Sequence, residues 1–163
     1  MRIKNSYYFS DDGSQIIGRT KAGDVFIIDS EDEYILKTAT VSRSKNGYFQ
    51  ARWAGTNMML HRIIIKTQSG YVTDHINTKK WDNRRANLRA CTRTQNQANS
   101  RGKKQSQTGI KGVCITKRPK NPFDAKITVN GKSVFLGVFK TAEQAKAAYM
   151  EAAKMYYGEY ARE

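Results

Sequence analysis

Cysteine is scarce. The 163 residues contain two, Cys91 and Cys114, far apart and outside any C-x-x-C spacing. A disulfide framework and a cysteine zinc site are both excluded, leaving two reduced thiols packed as small hydrophobes. Long apolar runs are absent too: none approaches the roughly 18 residues a membrane-crossing helix needs. The N-terminus lacks the basic, then apolar, then small-residue order of a signal peptide, so the expectation is a soluble, intracellular chain. Apolar residues amount to 39%, low for one well-filled core, and the length matches about one to one and a half average domains. Small modules fit better than a single large one. Acidic residues are also few, 14 against 29 Lys plus Arg, and the resulting +15 points to a polyanionic partner.

The charge is unevenly spread. Residues 1–60 carry net +1, residues 61–106 net +9 and residues 107–163 net +5, which makes the middle the electrostatic focus. The first third reads as short strands over Ser14–Thr20, Val25–Asp29, Tyr34–Ser42, Tyr48–Trp53 and Met58–Leu60, in one small antiparallel sheet. Asn46-Gly47 between apolar-rich runs is a strong hairpin signal. Polar, basic residues 100–108 read as a linker. Beyond it come three strands, Lys111–Thr116, Phe123–Val129 and Ser133–Phe139, and a helix. Thr141-Ala-Glu-Gln144 has the form of a capping box and Gly158 of a C-cap. Ala145, Ala148, Tyr149, Ala152, Ala153 and Tyr156 make one apolar stripe between them.

The densest chemistry lies between. Val72-Thr-Asp74-His75-Ile-Asn77 is followed by Trp81-Asp-Asn83-Arg84-Arg85-Ala-Asn87-Leu-Arg89, then by Thr92-Arg93-Thr-Gln95-Asn96-Gln-Ala-Asn99. Thr92 with Gln95 forms another capping box, so the segment reads strand, loop, strand, helix, with Asn96 and Asn99 on one helix face. Adjacent strand residues point to opposite faces, so Asp74 and His75 can share a site only if the strand ends there.

This stretch resembles the HNH family of nucleases, in the phage and homing-endonuclease branch where Asn replaces the last His, whose core is a ββα-metal fold. The resemblance implies a metal-dependent endonuclease that hydrolyses phosphodiester bonds in double-stranded DNA. On it His75 is the general base, Asp74 and Asn96 are the ligands of one cation per site, and Asn87 holds the loop so that His75 points correctly. The chemistry agrees: neutral imidazole accepts a proton near pH 7, and a cation stabilises charge on the phosphate oxygens. One carboxylate and one amide oxygen suit Mg²⁺, or Mn²⁺, better than Zn²⁺. His61 has two readings, a packed structural histidine or a supporting group at the site. Arg84, Arg85, Arg89 and Arg93 either clamp phosphates or form a solvated basic face.

Residues 109–160 resemble the plant AP-two/ERF DNA-binding domain through Lys111-Gly-Val113, Phe123-Asp-Ala125-Lys-Ile127, Leu136-Gly-Val-Phe139 and the alanine-rich helix. In that family a helix covers one face of a three-stranded sheet and the other face enters the major groove. Ala125 and Ile127 would face the helix here, with Lys126 and Thr128 outward. Arginines used for base readout in the plant members are mostly missing, and Phe123 and Phe135 stand where those carry tryptophan. Docking is therefore expected through phosphate contacts of Lys111, Lys117, Arg118, Lys120, Lys126 and Lys132, with Phe135 on the same face.

The expected architecture is α+β: a β-rich module over 1–60, a nuclease core over 61–99, a linker over 100–108 and a DNA-binding module over 109–163. The catalytic set is complete before residue 106, so a chain ending there should keep its chemistry. A homing-type monomer or weak dimer is expected, acting in the cytoplasm of a phage-infected bacterium without any membrane, and with one active site per chain nicking is the default for a monomer. The alternative is a catalytically inactive DNA-binding regulator, against which stands the presence of Asp74, His75 and Asn96 together.

Overall fold

The computed structural model describes residues 5–100 and 107–162, so the expected linker lies mainly outside the described residues. Mixed α and β structure, in several small sheets and few helices, is grouped into two compact units, Met1–Cys91 and Thr92–Glu163.

In the first unit β1 (Ser6–Phe9), β2 (Gln15–Arg19) and β3 (Val25–Asp29) form one antiparallel sheet in that order. Alternation explains it: Ile16 pairs across to Ile28 and Gly18 to Phe26, and Ile16, Ile28 and Phe26 are fully buried. Gly18 is required because a Cβ there would run into the Phe26 ring. A second antiparallel sheet holds β4 (Thr40–Arg43), β5 (Phe49–Trp53) and β6 (Thr56–Met59). Two sheets replace the single one expected, because Tyr34–Ser42 is not one strand. Helix α1 (Glu33–Thr38) occupies its first half. A 3-10 turn over Ser30–Asp32 leads into it, and Glu33 then pairs with Lys37 one turn on at 2.6 Å and accepts from the Tyr7 hydroxyl at 3.1 Å. Asn5 bonds both backbone groups of Val41, at 2.8 and 2.9 Å, with its side-chain amide in the place of a strand partner.

Helix α2 (Leu60–Ile64) follows, then β7 (Val72–His75) paired antiparallel with β8 (Leu88–Cys91). Leu60, Ile63, Ile64 and Leu88 join Ile16, Phe26, Ile28, Ile35, Val41, Phe49 and Ala51 in one core. The loop between β7 and β8 is itself docked on the edge of the first sheet. The Ile27 N–H donates to the Trp81 carbonyl and the Asn83 N–H to the Ile27 carbonyl, both at 2.8 Å.

The second unit begins with α3 (Arg93–Ala98), whose Thr92–Gln95 capping box is fully formed. A three-stranded antiparallel sheet has β10 (Phe123–Val129) between β9 (Val113–Ile115) and β11 (Lys132–Phe139). Helix α4 (Ala142–Tyr157) lies on one face, starting at Thr141, whose hydroxyl accepts from Gln144 N–H, and stopping at Gly158. Ala145, Tyr149, Ala152 and Ala153 are its buried residues; small side chains let it lie close to Val113, Ala125 and Ile127. Lys126 and Thr128 face outward as alternation requires.

Candidate active site

β7 stops at His75, and the stop is what allows two neighbours to serve one site. The Thr78 N–H closes a turn onto the His75 carbonyl at 2.8 Å, with Thr78 at φ 61°, and Ile76 N–H donates to the Asn87 carbonyl at 2.8 Å. Thr73, Asp74 and His75 are all buried, so both faces of this strand end are covered.

Asn83 holds the imidazole. Its amide nitrogen donates to the Lys80 carbonyl at 3.3 Å, which turns Oδ1 toward His75 Nε2, also at 3.3 Å. An amide oxygen can only accept, so Nε2 carries the proton and Nδ1 keeps its lone pair. Burial lowers the His75 pKa below its ordinary value, against the Asn83 hydrogen bond and the charge of Asp74, so the ring is neutral at pH 7. Asn87, expected to hold the loop so that His75 points correctly, does brace that loop: Nδ2 donates to the Asp82 carbonyl at 2.7 Å and Oδ1 accepts from Asn77 N–H at 2.9 Å. Asn83 was missed; the signal was its place in the Trp81–Asn87 run, eight residues beyond His75.

A second histidine joins the first. His61, on α2, meets the His75 ring edge-on at 5.1 Å between centroids, and Tyr48 lies against both at 5.2 and 5.8 Å. Lys80 crosses the Tyr48 ring at 4.1 Å while donating to the Asn46 carbonyl at the hairpin tip. His61 is 5% exposed and its Nδ1 has no hydrogen-bond partner among the described residues. Burial drops its pKa to about 4, so it too is neutral at pH 7.

The arginines are spent differently from expectation. Arg89 pairs across the strands with Asp74, its Nε 3.1 Å from Oδ2, and both side chains are largely buried. Arg84 grips Asp82 through two hydrogen bonds, 2.8 and 2.7 Å. Burial works to raise the Asp82 pKa, but the bonds from Arg84 and Asn77 outweigh it and hold the carboxyl ionised. Arg85 reaches fully buried Asp32 at 2.7 Å and Glu31 beside it, and its N–H donates to Asp29 at 2.7 Å. Three of the four arginines offered as phosphate clamps thus hold carboxylates of the protein, and of these Arg85 ties the loop to Asp29 and Asp32. Arg93 is exposed on α3.

In the second unit Asn96 is exposed on α3, whereas Asn99, expected on the same face, is the buried C-cap. Lys117, Arg118, Lys120, Lys126, Lys132 and Phe135 are exposed, Lys126 pairing with Asp124 at 3.2 Å and standing opposite Phe135 in the sheet. Lys111 is the exception, turned inward onto backbone carbonyls.

Among the described residues no three His, Cys, Asp or Glu side chains cluster as a metal site. In the first unit the oxygen donor next to His75 is the Asp74 carboxylate, of the kind a hard divalent ion takes while drawing the rest of its shell from water and phosphate, and not the donor set of a closed zinc site.

Neither the curated proteins nor the solved structures give a match to the chain. Residues 59–98 do match the family model of the HNH endonucleases, a span that takes in His61, Asp74, His75, the asparagine loop and α3, and that supports nuclease activity on DNA.

Proposed function

We propose that the chain is a metal-dependent endonuclease that hydrolyses phosphodiester bonds in double-stranded DNA, with His75 as general base. The observation that carries this reading is the placing of His75 at the end of β7, buried, neutral and with Nε2 held 3.3 Å from Asn83 Oδ1. Nδ1 takes a proton from water as that water attacks phosphorus, and the Asn83 carbonyl oxygen steadies the imidazolium that results. Asp74 and Asn96 are the residues that hold Mg²⁺ or Mn²⁺, and the ion supplies charge stabilisation at the phosphate oxygens. Arg89 fixes the Asp74 carboxylate, and His61 and Tyr48 wall the His75 ring from solvent.

Arg93, Lys117, Arg118, Lys120, Lys126 and Lys132 meet phosphates, with Phe135 on the outer sheet face of an AP-two/ERF-like module over 109–163. Residues 1–60 are the β-rich support and 61–99 the nuclease core. With one site per chain, the protein is a homing-type monomer or weak dimer, nicking as a monomer, inside a phage-infected cell. Purified protein incubated with supercoiled plasmid should convert it to open circles with Mg²⁺ and not with chelator. His75→Ala should abolish conversion while DNA affinity stays within about twofold, since a neutral imidazole adds no phosphate contact. Cleavage by that variant near the wild-type rate would overturn the assignment.

A further inference from the structure

Helix α3 has six residues, far too few to be stable alone in water. Its start is secured by the Thr92–Gln95 box. Its end is secured by one side chain from beyond the described gap. Lys111 Nζ donates to the carbonyls of Gln97, Ala98 and Ser100, at 2.6, 2.7 and 3.0 Å. These are carbonyls of the last turn and the residues just past it, where the helix dipole favours a cation, and the Gln97 carbonyl accepts as well from the Ser100 N–H and hydroxyl at 3.1 and 2.6 Å. The ammonium is sequestered enough for burial to pull its pKa down to about 8, and the three carbonyls use all three of its protons. A lysine meant for phosphate would not be placed so. Just after it Gly112, at φ 73°, has no room for a Cβ between the Tyr149 ring of α4 and the Lys126 carbonyl of β10, so the backbone that bears Lys111 is itself fixed to the sheet and helix.

We propose that Lys111 is a positioning residue that clasps α3 to the βββα unit, so that this unit serves as the scaffold of the helix carrying Asn96 as well as a surface for DNA. The functional part rests on the reading of Asn96 as a metal ligand; the clasp itself does not. It follows that a chain ending near residue 106, although it contains every residue of the catalytic set, lacks what holds α3 in shape.

The test uses the full-length chain and the substitutions Lys111→Met and Lys111→Arg. Amide hydrogen exchange is read at Asn96 and Asn99, whose N–H groups donate to Thr92 and Gln95. Loss of three charge-assisted bonds should speed exchange there by roughly tenfold or more in Lys111→Met, with β7 and β8 unchanged and partial recovery in Lys111→Arg. The half-saturating Mg²⁺ for plasmid cleavage should rise severalfold in step with exchange. The salt slope of DNA binding should stay as in the wild type, whereas Lys126→Met should lower it by about 0.9. Unchanged exchange at α3, or a salt slope reduced by about 0.9 in Lys111→Met, would overturn the clasp. Faster exchange with an unaltered Mg²⁺ requirement would overturn its bearing on the site, provided that Asn96→Ala does shift that requirement. If Asn96→Ala shifts nothing, the ligand reading fails and the clasp stands on exchange alone.

Discussion

Replacing His61 with phenylalanine keeps a ring against Tyr48 and His75 and removes one titrating group from the first unit. Folded His61 titrates at about 4 because burial disfavours its charged form, while in the unfolded chain it titrates near the ordinary 6.5. Between those values the unfolded state holds a proton that the folded state refuses, so stability falls as pH drops from about 6.5 toward 4. The full window is worth roughly 3 kcal/mol, and midway through it the slope approaches 1.4 kcal/mol per pH unit. Asp32, raised by burial and so opposite in sign, contributes alike in both proteins and cancels in the difference, while His75, lowered in the same direction and coupled by charge to His61, remains in both. Trp53 and Trp81, the chain's two tryptophans, both lie in the first unit and report its unfolding by fluorescence. Urea titrations at half-unit steps from pH 5 to 7 should show His61→Phe losing clearly less stability on acidification than the wild type. Parallel losses in the two proteins would refute a buried neutral His61.

Arg85→Met should destabilise the first unit by about 3 kcal/mol at pH 7, because it strands the fully buried Asp32 carboxylate. Part of that loss should return on acidification as Asp32, its pKa raised by burial, takes up a proton in the folded state, a recovery readable in the same urea midpoints. Gly112→Ala places a Cβ 2.5 Å from the Lys126 carbonyl and into the Tyr149 ring at a positive φ, and should cost the second unit more than about 2 kcal/mol. Calorimetry should then show the transition of that unit lowered by many degrees and the first unit's unchanged.

What could be read from the sequence was local chemistry. The Asn46-Gly47 turn, both helix starts at Thr92 and Thr141, and the end of a strand at His75 are each written in a few adjacent residues. The Tyr34–Ser42 error came from an apolar run, Tyr-Ile-Leu, whose conformation is decided by the Glu33 contacts with Tyr7 and Lys37. Arg85 looked like a phosphate ligand because its carboxylate partner is invisible to spacing, Asp32 being 53 residues away, whereas Arg84's partner Asp82 stands only two residues before it. A clue was available in the distribution of charge, since half of the 14 acidic residues fall in the first 60 positions of a strongly basic chain. Asn83 was hidden for a similar reason, its meaning coming from where the loop is docked on β3.

That docking has a consequence for the life of the chain before it is finished. β3 is made some fifty residues before the loop that will lie along it, and until then it is the bare margin of a sheet rich in isoleucine and phenylalanine, open to any extended segment nearby. When residues 81–83 arrive they occupy that margin with two backbone hydrogen bonds, so the segment that aims His75 is also the one that closes the sheet against strangers. A nascent chain is therefore most prone to stick in the interval after β3 has been made and before residues 81–83 follow.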